Sequence, residues 1–505
     1  MMMDSRGSGV LLHITSLPGP DGIGDLGKGA RLFVDFLAAA GQRYWQLLPI
    51  GPGSRIFDSS PYMSLSAFAG NPLFIDLDQL AVDGLLVEDD FVERPEASEY
   101  EVHFDEVIPF KNELLRRAYE NFKKREPDDD FAVFCRSEAD WLDDYCLFMA
   151  IRNDQRQAAW CSWPIELAQR DAEAISETRL RLADEIGYYE FVQYYFARQF
   201  SALRDYAAAR NVYLIGDIPI YVSFDSADVW AHRHCFRIDS KTLQPTHVAG
   251  VPPDYFSATG QRWGNPLYCW QDGRGRDNAA LFDWWRARLR RIFATVDVVR
   301  IDHFRGFEAF WEIPADEETA IKGRWVKGPG KAFFDAVSDD IGELPIIAED
   351  LGVITPEVEA LRVELGFPGM KVLQFAFDSD AANLYLPHNY QDTNCVVYTG
   401  THDNDTSLGW YFDPEVSEDA KKRVRRYVNS NGDAIHWDFL RLAFGSVART
   451  AIIPMQDVLG FGTDCRMNTP GTCDGNWRWR CAEKFMTDYL AARLRAETKF
   501  YGRCC

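Results

Sequence analysis

The chain has 505 residues, 47% of them apolar and 26% charged, the balance of an ordinary folded protein. A formal net charge of −23 argues against nucleic acid or an anionic membrane surface as partner, because both reward basic patches. It fits a neutral or cationic small substrate, and it is also a way of staying in solution.

The opening MMMDSRGSG has no apolar segment of signal-peptide length. No uninterrupted apolar run is long enough to span a bilayer. The expectation is a cytoplasmic chain, or a plastid one from which a transit peptide has been removed. Short β-branched runs bounded by turn residues then recur: VLLHI from Val10, YWQLLPI from Tyr44, VYLIGDIP from Val212 and VVRIDHF from Val298. PIIAEDLG from Pro345, MKVLQFAF from Met370, CVVYTGTHD from Cys395 and TAIIPMQDVLG from Thr450 complete the series. Helical patterns lie between them, such as ARLFVDFLAAAG (30–41), LFDWWRARLRRIF (281–293) and TPEVEALRVELG (355–366). The last opens on Thr-Pro, a cap and a first-turn proline, and closes on glycine. Eight near-continuous apolar strands alternating with helices predict an α/β fold, a parallel (β/α)8 TIM barrel forming one catalytic unit over 1–505. A doubly wound open sheet is the rival, but no GxGxxG follows the first strand.

Two gaps are too long for barrel loops. Gly51 to Asn211 carries charged helical patterns such as FKNELLRRAYENFKK from Phe110, which predict a helix-rich insertion over 82–205 between strands two and three. Tyr221 to Ala280 is rich in Gly, Pro, Asp and aromatics, which predicts ordered lid or insertion loops over 221–280. FMTDYLAARLRAE from Phe485 reads as a last helix and leaves no room for a C-terminal β-sandwich. The 11 cysteines include no CxxC pair, and Cys465 and Cys473 have no histidine at zinc spacing. Free thiols, no metal site and no cofactor are expected.

Barrel enzymes keep their catalytic residues at the C-terminal ends of the strands. Four of the predicted strands end in acids there: Asp217, Asp302, Glu349 and Asp403. A single strand-end Asp is most simply a helix cap, but acids on four strands of one barrel converge on one mouth. Arg300 and Asp302 are two apart and point the same way on a strand, so the cation favours the charged form of Asp302. Glu349 follows Ile346, Ile347 and Ala348, and an apolar setting near other carboxylates raises a glutamate's pKa. One ionised and one protonated carboxyl is the division of labour of retaining glycosidic chemistry. Asp403, with His402 beside it, is placed to bind hydroxyls of the reacting ring. His303 and His13 read as structural histidines.

RIDHFRG, IIAEDLG and GTHDNDT resemble the catalytic segments of the α-amylase superfamily, and more specifically the amylomaltases, the 4-α-glucanotransferases of bacteria and plants (glycoside hydrolase family 77). SGVLLHITSLPGPDGIGDLG, SPYMSLSAFAGNPLFIDL, GVPPDYFSATGQRWGNPLY and RMNTPGTCDGNWRWR extend the resemblance over nearly the whole chain, weakest between 82 and 203. The resemblance implies transfer of α-1,4-glucan segments between maltooligosaccharides. It makes Asp302 the nucleophile, Glu349 the acid/base and Asp403 the transition-state stabiliser. Arg300, His402 and Asp217 would line the reacting subsite, Tyr62 would stack near it, and Tyr255, Phe256, Gln261 and Trp263 would belong to a lid over the glucan. Where many relatives read DSPYQS this chain has SSPYMS, so Ser59 and Met63 depart from the pattern on the acceptor side. Arg466 and Asn468, in RMNTPGT, read as a rim loop without a role.

Three other readings bear weighing. An enolase-type metal barrel needs a facing lysine or histidine base, and Lys371 begins its strand instead of ending it. A non-catalytic glucan-binding barrel would have no need of all three carboxylates. An α-amylase-like α-1,4-glucan hydrolase shares the same acids, but such enzymes usually add a calcium site and a C-terminal sandwich.

Overall fold

The computed structural model describes residues 5–53, 59–96, 98–126, 128–253, 257–472 and 474–504. All eight predicted runs form strands of one sheet: β1 (Gly7–Leu11), β2 (Tyr44–Gln46), β3 (Tyr213–Pro219), β6 (Val298–Asp302), β9 (Ile346–Ala348), β10 (Gly369–Val372), β11 (Cys395–Tyr398) and β12 (Thr450–Pro454). Their order is β10-β11-β12-β1-β2-β3-β6-β9, with every pairing parallel. The Ala348 N–H donates to the Pro368 carbonyl at 2.9 Å, which brings β9 against the start of β10 and closes the ring. The result is a (β/α)8 barrel.

The β-branched runs are explained by burial on both faces: Val298, Val299 and Ile301 are wholly buried, as are Val396, Val397, Ile452 and Ile347. Helices cover the outside. Lys28–Ala39 links β1 to β2, Ala183–Ala208 runs into β3, and Ala279–Thr295 precedes β6. Lys331–Ile341, Pro356–Glu364 and Ile435–Gly445 continue the pattern. The link from β10 to β11 has only 3-10 turns, Leu373–Ala376 and Pro387–Asn389. At Pro356–Glu364 the proline occupies the first turn as expected, but the Thr355 side chain makes no capping bond. No β-sandwich follows β12 among the described residues, where the longest element is the helix Asp488–Phe500.

The stretch from 82 to 205 holds the helices Phe104–Phe122, Asp129–Ser137, Ala139–Asp154 and Ala172–Arg181, ahead of Ala183–Ala208. The stretch 221–280 is more than loops. It contributes β4 (His247–Val251) and β5 (Gln261–Pro266) to a second sheet, completed by β7 (Ala309–Pro314) and β8 (Arg324–Lys327). This sheet is antiparallel, in the order β5-β4-β7-β8. Glycine or proline interrupts β4, β5 and β7, and the central pairing joins Gly250 to the distant Trp311, so no alternating pattern announces the sheet. Gly250 is required where β4 meets β5: a Cβ there would lie 2.1 Å from the Gln261 carbonyl oxygen. Glu312 on β7 is buried, and Arg237 and Arg324 clamp it, which ties this sheet together. No helix among the described residues is long and apolar enough to cross a membrane.

Candidate active site

Strand register sets the site. Ile301 pairs with Ala348, so the next residue on each strand, Asp302 and Glu349, emerges at the same height at the barrel mouth. On the other side of β6, Asp217 pairs with Arg300. The Arg300 guanidinium donates to Asp217 Oδ2 at 2.6 Å and to Asp302 Oδ1 at 2.8 Å, so one buried cation grips a carboxylate on β3 and another on its own strand. Burial opposes that charge, but Asp217 and Asp302 outweigh it and push the Arg300 pKa well above its ordinary value. Asp302 keeps 32% of its side chain exposed to the cavity.

Glu349 is held differently. Its Oε2 accepts the His303 backbone N–H at 2.7 Å, and its Oε1 accepts the Leu351 N–H at 2.8 Å. Both bonds favour the carboxylate, as does Arg300. Burial and the negative charge of Asp302 outweigh them, and the Glu349 carboxyl is pushed up to about 7. His303 reaches this position by adopting a left-handed backbone (φ 55°), which is uncommon for a non-glycine residue. Burial, with Arg305 nearby, lowers its imidazole to about 3, so the ring is neutral.

Asp403 comes from the turn after β11, not from the strand itself. Asn468 donates to its Oδ1 at 2.6 Å, and Arg466 donates to its backbone carbonyl at 2.6 Å. His402 Nε2 lies 3.3 Å from its other oxygen. Burial resists the charge of both partners. The pair's attraction prevails, so the His402 pKa rises and that of Asp403 falls. The Tyr62 ring stacks on the His402 ring (centroids 5.1 Å apart, 18° between planes), with Trp477 tilted against both.

These groups line one cavity of about 730 Å³, the size of a ligand cleft. Asp302, Glu349, Asp403, Arg300, His402, Tyr62, Gln261 and Trp263 all face it. Asp217 does not: it is 2% exposed and lies behind the wall, bound by Arg300 and by the Tyr62 hydroxyl at 2.8 Å. It therefore positions those two side chains and leaves contact with a ligand to them. Tyr255 and Phe256 lie outside the described residues. Gln261 and Trp263 stand on β5, and the Trp263 ring meets the His303 ring edge-on at 4.8 Å. Met63, one of the departures from the family pattern, is on the cavity wall. The other, Ser59, has a left-handed backbone (φ 57°). Asn468 and Trp477 also line the cavity, and sequence reasoning gave neither a role. No group of three or more metal-ligating side chains is gathered anywhere among the described residues.

The 4-alpha-glucanotransferase family model, glycoside hydrolase family 77, matches residues 12–486. A 4-alpha-glucanotransferase of Synechocystis is 49% identical over 99% of both chains. The chain belongs to the 4-alpha-glucanotransferase family. A chloroplastic/amyloplastic 4-alpha-glucanotransferase of Solanum tuberosum is 44% identical over 99% of this chain and 87% of its own. Among solved structures, an amylomaltase from Streptococcus agalactiae in complex with acarbose superposes with a TM-score of 0.94 at 39% identity, covering 99% of this chain and 100% of that one. These relatives favour the transferase over the α-amylase-like hydrolase.

Proposed function

We propose that this 4-alpha-glucanotransferase moves α-1,4-glucan segments between maltooligosaccharides by a retaining double displacement. The observation that carries the reading is the contrast between two carboxyls at one height. Asp302 is held by a buried arginine, and Glu349 is desolvated until it titrates at about 7. In the first step an Asp302 oxygen attacks the anomeric carbon of the donor. The bond to the leaving oxygen breaks as Glu349 gives that oxygen its proton, and a glycosyl ester on Asp302 results. In the second step the ionised Glu349 takes the proton of an acceptor hydroxyl. That oxygen attacks the anomeric carbon and the bond to Asp302 breaks. Asp403, Arg300, His402 and Tyr62 hold the reacting ring, while Asp217 fixes Arg300 and Tyr62 from behind.

Hydrolysis and transfer share the intermediate and differ only in the acceptor. A bound, oriented sugar acceptor gains an effective molarity that can reach about 10⁵ M, enough to compete with water. Gln261 and Trp263, on the sheet above the barrel mouth, are the groups we assign to excluding water.

The test is a trap. A Glu349→Gln variant given α-maltosyl fluoride needs no acid for the first step and has no base for the second. Mass spectrometry of its digest is expected to find the maltosyl group on the peptide that carries Asp302. Attachment to any other peptide would contradict the assignment.

A further inference from the structure

Among the described residues with a large, exposed aromatic side chain, Trp325 alone lines the catalytic cavity; it is 40% exposed. Its ring is held in place by two neighbours. On the adjoining strand Trp311 pairs with it in register, and the two rings meet at 67° with centroids 5.2 Å apart. The Arg305 guanidinium lies 3.8 Å from its ring centroid. That arginine is buried and bonds to the Val353 carbonyl, which ties β8 to the loop after β9. An aromatic surface braced in this way loses little freedom when a ligand covers it.

The position of the platform says which part of a glucan would reach it. Arg305 is three residues beyond Asp302, and Val353 is four beyond Glu349. Leu351, in the same loop, holds Glu349 through its N–H. Trp325 thus belongs to the flank of the cavity next to the proton donor. The ring pocket of Tyr62, His402, Asp403 and Trp477 occupies the other flank. The leaving group takes its proton from Glu349, and the acceptor replaces the leaving group, so both lie on the Trp325 side.

We propose that Trp325 is the floor of an outer acceptor subsite, stacking against a glucose ring of a maltooligosaccharide beyond the ring that reacts. A pyranose presents an apolar C–H face that suits an indole, and Val353, 60% exposed beside the platform, adds apolar contact. The inference rests on the transfer reaction above and adds a length preference for the acceptor.

The experiment compares acceptors at a fixed donor concentration. The readout is kcat/KM for maltotetraose divided by kcat/KM for glucose. Wild type is expected to favour maltotetraose. In Trp325→Ala that ratio should fall about tenfold, the scale of one stacked aromatic contact. Trp325→Leu, which keeps apolar cover over Arg305 but has no flat face, should show the same fall, and Trp325→Phe should restore most of the preference. An unchanged ratio in the Ala and Leu variants would overturn the subsite. So would an equal loss for both acceptors, which would mean that Trp325 only braces Arg305. Failure of the reading beneath it looks different: wild type would then transfer to neither acceptor.

Discussion

Glu349 must hold a proton at neutral pH if it is to protonate a leaving oxygen, and its surroundings provide for that. Burial and Asp302 raise it to about 7, against the pull of Arg300 and two backbone N–H groups. The acid form is the active one for the first step, so kcat/KM should be lost as pH rises through about 7, about tenfold per unit beyond it. In Glu349→Gln this limb should vanish from what activity remains; a variant that kept it would show that another group sets it. Asp302 and Glu349, to which we assign the reaction, are legible in the sequence as mouth residues because each ends a buried run, and a strand that leaves the core places its next residue at the mouth. Asp217 reads the same way, yet β3 runs on to Pro219, so Asp217 lies within the strand beside Arg300 and behind the wall. Asn468 and Arg466 were not legible as partners of Asp403. They come from a loop with no regular period, and only the folded chain brings them to an acid more than sixty residues earlier.

At the scale of elements, every barrel strand could be found, because burial on both faces demands continuous β-branched or apolar runs. The ends were read too long. TGTHD lies beyond Tyr398, the last paired residue of its strand, and MQDVL after Pro454 turns into a short helix. The second sheet was missed for the opposite reason: GVPPDYFSATGQRWGNP is interrupted by glycine and proline, and its strands owe their order to β7, itself hidden after the catalytic strand β6. This changes how the water-excluding role should be tested. Deleting residues through Trp263 would remove part of β5 and loosen the sheet. A Trp263→Ala change removes only the ring that meets His303. It is expected to raise the ratio of hydrolysis to transfer, measured as new reducing ends per glucosyl unit transferred. An unchanged ratio would remove Trp263 from that role.

At the scale of the molecule, the barrel is fastened at the bottom by its last described turn. Arg503 is fully buried and donates to the backbone carbonyls of Gly7, Ala443, Phe444 and Ala448, linking β1, the helix before β12 and the end of the chain. Replacing it with alanine would remove these four buried bonds at once, although Arg6 still reaches the Phe444 and Ala448 carbonyls. A loss of roughly 3 kcal/mol of stability is expected. Denaturant unfolding measures it, and a change within 0 to about 0.5 kcal/mol, the range of an ordinary surface substitution, would show that Arg503 is not a fastening. The closed barrel, the buried Arg300 pairing and the rim sheet together build a mouth in which a glycosyl ester can wait for a sugar and not for water. The direct test is to incubate the purified enzyme with maltotriose alone, with a chelator present, and resolve the products by chain length. Glucose together with a ladder of longer maltooligosaccharides is expected, while total reducing ends stay constant. Rising reducing ends with only shorter sugars would contradict it.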